Sequence, residues 1–232
     1  MYYKQLLEIT NQWISDGAYE KALQELEWRS PNFDMARNIR TFGKFLAAWH
    51  SLRGGLINKK EMFTIWTKDI EPYAMSLEDE PVENLDVDKL IKVKDEKLRI
   101  GIVIEHIYGA LSLISGIGDT NASKLLHLRL PHLFVMTDTA VRKLLKKKVV
   151  GEKFSPYSYA FNFLTFVKSD VNEAVNTLCK DKRLTREQGI EFLQNVHGRK
   201  RSLAKLMDEC YHTFAHKIGE FPDEYSLNII RQ

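Results

Sequence analysis

The stretch Leu113–Leu145, LISGIGDTNASKLLHLRLPHLFVMTDTAVRKLL, decides how this chain is read. Two apolar helical patterns meet there at a glycine-pinned turn, Gly116-Ile117-Gly118, and Asp138 stands further on at the head of a basic helix. The first four N–H groups of a helix have no helical partner, and the helix dipole favours an anion beside them, so such a turn suits a phosphate. A phosphate reaches the backbone only where side chains are out of the way. Gly116 and Gly118 satisfy that need and tolerate positive φ. Ala122 is small enough to let the two helices cross closely, while Leu125 and Leu126 bury the second one. Glycines also punctuate ordinary pairs of antiparallel helices, so a purely structural turn reads equally well. Asp138 is a strong N-cap residue, and the N–H bonds that make it a cap also keep its carboxylate ionised.

Outward from this stretch nearly every segment has helical spacing, which predicts an all-α fold. Tyr3–Ser15 places Leu6, Leu7, Ile9, Trp13 and Ile14 on one side before Gly17, and Ala18–Trp28 continues with Ala22, Leu23 and Leu26. Phe33–Leu52 repeats the pattern with Ile39, Phe42, Leu46 and Trp49, and Gly54-Gly55 stops it. Asn58 caps a helix carrying Met62, Phe63 and Trp66. Asp69–Asp88 is acidic and broken by Pro72 and Pro81, which predicts a solvated connection. Helical spacing resumes near Leu98 and runs into the glycine turn. Tyr157–Phe163 alternates with period two, yet Ala160, Phe161, Leu164 and Val167 share a helical face and a lone strand would lack a partner. Helix is therefore expected there, followed by helices at Val171–Leu178, Thr185–Val196 and Ser202–Ile218.

The 232 residues suit one large domain or two lobes. Cys179 and Cys210 lie far apart without metal spacing, which points to a reduced compartment and excludes a four-cysteine iron–sulfur cluster within this chain. MYYKQLLEITNQW lacks the long uncharged core of a signal peptide, and no apolar run approaches a membrane span, so a cytoplasmic protein without membrane contact is expected. Charge is unevenly spread. Residues 1–96 carry 13 basic and 17 acidic side chains, whereas residues 97–232 carry 21 and 14, so the basic half fits a polyanionic partner.

The hairpin Ile114-Ser115-Gly116-Ile117-Gly118-Asp119-Thr120-Asn121-Ala122, followed by Asp138-Thr139-Ala140-Val141-Arg142, resembles the helix-hairpin-helix DNA glycosylase superfamily of the endonuclease III type. Members share a hairpin of the form L-x-G-[VI]-G-x-x-x-A and a later aspartate in a V-D-T-x-V-x-R-like segment. The match covers roughly a seventh of the chain. It implies two helical lobes with the motif at the cleft: a central lobe, 27–133, and a second lobe made of 1–26 plus 134–232. It further implies Asp138 as the catalytic carboxylate and Gly116, Gly118, Thr120, Lys124, Arg142 and Lys146 as DNA-contacting residues. The lysine that forms a Schiff base in strand-cleaving members is Thr120 here, and Lys124 faces differently. The histidine often found after the Asp-Thr pair is Ala140, and the cluster cysteines are missing.

The implied activity is thus monofunctional hydrolysis of an N-glycosidic bond in double-stranded DNA, damaged or intact, with no cofactor. An ionised Asp138 would stabilise positive charge on the sugar of a flipped-out nucleotide or orient a water. Two alternatives stay open: a non-catalytic nucleic-acid binder on the same scaffold, and an α-helical protein-interaction domain.

Further candidates lie outside the match. Arg142/Lys146 and Lys143/Lys147 are like-charge pairs at i,i+4, which cost helix stability, and Arg199-Lys200-Arg201 precedes a helix, the wrong end for cations. Both clusters suit phosphate contact, and both equally suit a soluble surface. His212 and His216 are spaced i,i+4 with Asp208 one turn earlier, a geometry compatible with a metal, but no further ligand cluster is evident and no metal is expected. Of the aromatics, Trp49 or Phe42 would suit stacking on a base, although core packing explains each one as well.

Overall fold

The computed structural model describes residues 3–11, 17–26, 34–49, 57–145 and 154–218, and within them the protein is mostly helical. The first helices are α1 (Tyr3–Asn11), α2 (Ala18–Glu25), α3 (Met35–Ala48) and α4 (Lys59–Ile65). A π-helical turn, Trp66–Ile70, carries α4 into the short α5 (Glu71–Ala74). A hairpin of β1 (Leu90–Val93) and β2 (Glu96–Arg99) precedes α6 (Ile100–Ser112), α7 (Gly118–Arg129) and α8 (Thr139–Leu145). A second π turn, Ser158–Phe163, leads into α9 (Leu164–Lys182), then α10 (Arg186–Gln194) and α11 (Leu203–Thr213), which ends in a third π turn, Phe214–Ile218.

Local chemistry starts these helices where the sequence says it should. Asp34 accepts from the backbone N–H of Ala36 and Arg37 at the head of α3, and Asn58 accepts from Glu61 at the head of α4. Thr185 and Gln188 form a reciprocal capping box on α10, and Ser202 caps α11 through the Lys205 N–H.

Two expectations need correction. Residues 69–88 are not a solvated connection: Ile70, Ala74, Leu77 and Val82 are wholly buried, and short helical turns fill the segment. Its carboxylates serve the interior, because Glu71 and Glu78 both bind the Arg129 guanidinium, whose side chain is 3 % exposed. Pro72 sits in the first turn of α5, where its missing N–H costs nothing. The helix expected to resume near Leu98 begins instead at Ile100, after an antiparallel pair running from Leu90↔Arg99 to Val93↔Glu96. The turn of that hairpin places Lys94 at φ 54° without any glycine to announce it.

The buried apolar side chains form one continuous cluster. At its centre is α7, in which every residue from Asn121 to Arg129 is buried. A helix enclosed on all sides cannot show an apolar stripe, so its polar residues must find partners inside. α1 lies on the C-terminal half, where Tyr3 donates its N–H to Thr177 Oγ1 (3.4 Å) and its hydroxyl to Asp181. No helix among the described residues is long and apolar enough to cross a membrane.

Candidate functional site

The glycine turn has the conformation its residues anticipate. Gly116 adopts φ 85° and Gly118 φ 61°, the left-handed region that β-carbons disfavour, and α7 starts at Gly118. A Cβ at Gly118 would meet no atom within 4 Å, so the demand there is conformational. The Tyr108 hydroxyl of α6 donates to the Asp119 carbonyl (3.0 Å), tying the first turn of α7 to its hairpin partner. Leu113, just before the turn, is 83 % exposed.

The segment between α7 and α8 is then fastened to α7. Thr137 donates its N–H to Ser123 Oγ (2.9 Å), His127 Nδ1 donates to the Phe134 carbonyl, and the Tyr159 hydroxyl donates to the Val135 carbonyl (2.7 Å). Leu133, Phe134, Val135 and Met136 are all buried. These contacts determine where Asp138 stands.

Asp138 caps α8 as expected. Its Oδ1 accepts from the Val141 N–H (2.8 Å), and its carbonyl accepts from the Arg142 N–H (2.9 Å). The other oxygen, Oδ2, lies 2.7 Å from Nε2 of His216, seventy-eight positions away in the chain. Partial burial raises the Asp138 pKa, but the Val141 N–H, the His216 hydrogen bond and the charges of His216 and His212 outweigh it. The net effect holds the carboxyl below its ordinary value. His212 stacks on His216 with ring centroids 4.2 Å apart. Asp208, the carboxylate expected beside these histidines, is buried and paired with Lys205 (2.6 Å), and its charge acts on His212.

The other expected residues divide into three groups. Arg142 reaches back from α8 to donate to Thr120 Oγ1 (2.9 Å), which joins those two positions at the head of α7. Lys124 is 7 % exposed and turned inward, its ammonium 4.9 Å from the Trp49 ring centre. Burial pushes the Lys124 pKa down, Asp138 and Asp208 pull it up, and Lys205 opposes them. Lys124 is therefore an interior neighbour of Asp138, set apart from the outer face that Arg142 shares. Lys146 lies outside the described residues, as do Lys147 and Lys148.

Trp49 and Phe42 are also separated. Phe42 is wholly buried in the core, whereas Trp49 is partly exposed and faces both Lys124 and Lys205 (5.6 Å). In the second basic cluster, Arg201 is committed to Glu209 and the Val196 carbonyl, while Arg199 and Lys200 are exposed. The residue that sequence reasoning did not connect to Asp138 is His216. The i,i+4 histidine spacing was a visible signal, but nothing in the chain order links it to Asp138.

Comparison of the chain with known protein families, with curated proteins and with solved structures finds no match.

Proposed function

We propose that this protein binds double-stranded DNA through the α6–α7 hairpin and, in the helix-hairpin-helix glycosylase manner, hydrolyses an N-glycosidic bond with Asp138. The observation that carries the reading is the state of Asp138. Its carboxylate is held ionised by the Val141 N–H and the two histidines, and its segment is fastened to the helix that starts at Gly118. An ionised carboxylate in that position would stabilise an oxocarbenium-like sugar, and a nucleotide would have to be flipped out of the duplex to reach it.

In this reading the N–H groups at the head of α7 receive a backbone phosphate, with Gly116 and Gly118 keeping side chains clear. Arg142, half-buried against Thr120, supplies positive charge beside that turn, and Lys143 is exposed on the same helix. Lys124 has an electrostatic task near Asp138 and no direct phosphate contact. Of the two aromatics considered for stacking, Trp49, bordered by two lysines, is the partly exposed one. The two-lobe division (27–133 against 1–26 plus 134–232), with the hairpin at the cleft, belongs to the same proposal. Thr120 occupies the Schiff-base position and already accepts from Arg142, so strand cleavage by a covalent lysine is not part of it.

One observation favours a second reading, a DNA binder without chemistry. Oδ2 of Asp138 is engaged by His216, which must release it before a sugar could approach.

Fluorescence anisotropy with a duplex carrying an abasic-site analogue, beside an undamaged duplex, across a salt series tests both readings. Salt-sensitive preference for the analogue, with base release abolished in Asp138→Asn, supports the glycosylase. Equal salt-sensitive binding supports the non-catalytic binder. Absence of binding to either duplex at low salt leaves the hairpin a structural turn and refutes both.

A further inference from the structure

We infer that Asp138, His212 and His216 form a binding site for a divalent transition-metal ion of the zinc class. Each residue offers one ligand atom, and the three atoms all lie within 4.8 Å of one another. Two imidazoles and one carboxylate are a ligand set that borderline ions such as Zn²⁺ and Fe²⁺ accept.

The geometry is close to what an ion would impose. Metal–ligand bonds of about 2.0–2.2 Å in tetrahedral array separate neighbouring ligand atoms by about 3.3 Å. The His216 Nε2 to Asp138 Oδ2 distance of 2.7 Å must therefore open by roughly 0.6 Å, and no pair needs to close by more than about 1.5 Å. A side-chain rotation of His216, 42 % exposed, covers such a change.

Three further features fit a metal. First, the Val141 N–H fixes Oδ1 of Asp138, so the carboxylate is oriented from behind in the way outer hydrogen bonds orient ligands. Second, a simple Asp–His hydrogen bond needs one imidazole, whereas His212 is stacked on His216 and brings a second to the same carboxylate. Third, three protein ligands at a partly exposed position leave a place for water, the open arrangement of catalytic zinc sites. The charges of Asp208 and Lys205 act on His212, and Lys124 and Asp138 act on each other, so these groups would modulate the affinity of an ion held by the three ligands. Metal binding is measured without DNA, so its test is separate from the DNA reading, although an ion on Oδ2 would occupy the oxygen that reading gives to the sugar, as His216 does here.

The test uses the full chain stripped with EDTA and dialysed, then titrated with Zn²⁺ by calorimetry and with Co²⁺ by visible absorption. One equivalent should bind, with Co²⁺ bands of a four- or five-coordinate site. His216→Gln and His212→Gln should each weaken binding by at least about tenfold, with Asp138→Asn doing the same. His106→Gln, at an exposed histidine whose ring is tilted against Tyr73, should change nothing. Circular dichroism confirms that each variant is folded. Absence of wild-type binding, or an affinity unmoved by the His216, His212 and Asp138 substitutions, overturns the site.

Discussion

His127 holds the segment that carries Asp138, and protonating this buried ring should destabilise the fold. The imidazole is wholly buried and lies between the Phe134 carbonyl and the Tyr19 hydroxyl, 2.9 Å from Nε2. A carbonyl only accepts, so Nδ1 carries the proton; burial favours the neutral ring, in which Nε2 accepts from the Tyr19 hydroxyl. Burial drives its pKa down from 6.5 to about 4; Asp208 and the Phe134 carbonyl oppose the shift, while Lys205 and His132 add to it.

The unfolded chain takes up a proton near pH 6.5 that the folded chain refuses until about pH 4. Stability is therefore highest above pH 6.5, falls as pH drops through that window, and levels off below it. The ceiling is about 3 kcal/mol, of which about 2 kcal/mol is reached at pH 5. Urea unfolding at pH 7.5 and pH 5.0 measures this directly on wild type and on His127→Gln, whose amide retains a donor and an acceptor without titrating. Other titrating groups act in both proteins and cancel. Wild type should lose about 2 kcal/mol more than the variant over that interval. Equal losses would show that His127 does not stay neutral in the fold and would refute the burial argument.

Substituting Gly118 by alanine should destabilise by about 1–2 kcal/mol through backbone strain alone, and a melting temperature indistinguishable from wild type would contradict that. Asp138→Ala should cost about 1 kcal/mol by removing the α8 cap, while Asp138→Asn, an equally good cap, should be nearly neutral in urea titrations. A similar loss in both would mean that the contact with His216, rather than the cap, carries the stability. Arg129→Ala should cost about 2–4 kcal/mol, because the half-buried Glu71 and Glu78 lose the buried cation they share; calorimetric unfolding giving under about 1 kcal/mol would sink the claim that residues 69–88 are held by that cation.

What this sequence determines by itself is most of what depends on near neighbours. Helical spacing marked the elements because burial of one face repeats every three or four residues, and the caps at Asp34, Asn58, Thr185 and Ser202 act within three positions. The same locality made Gly116 and Gly118 legible as left-handed turn residues, and Asp138 legible as a cap. The β-hairpin escaped because its turn uses Lys94 in place of glycine, and residues 69–88 misled because carboxylates look alike whether they face water or a buried guanidinium. Only tertiary structure turned Lys124 inward, set Arg142 against Thr120 and brought Asp138 to His216. Those outcomes depend on how α8 packs beside the end of α11, and packing between distant segments is set by the shape of the whole core, which no local pattern encodes.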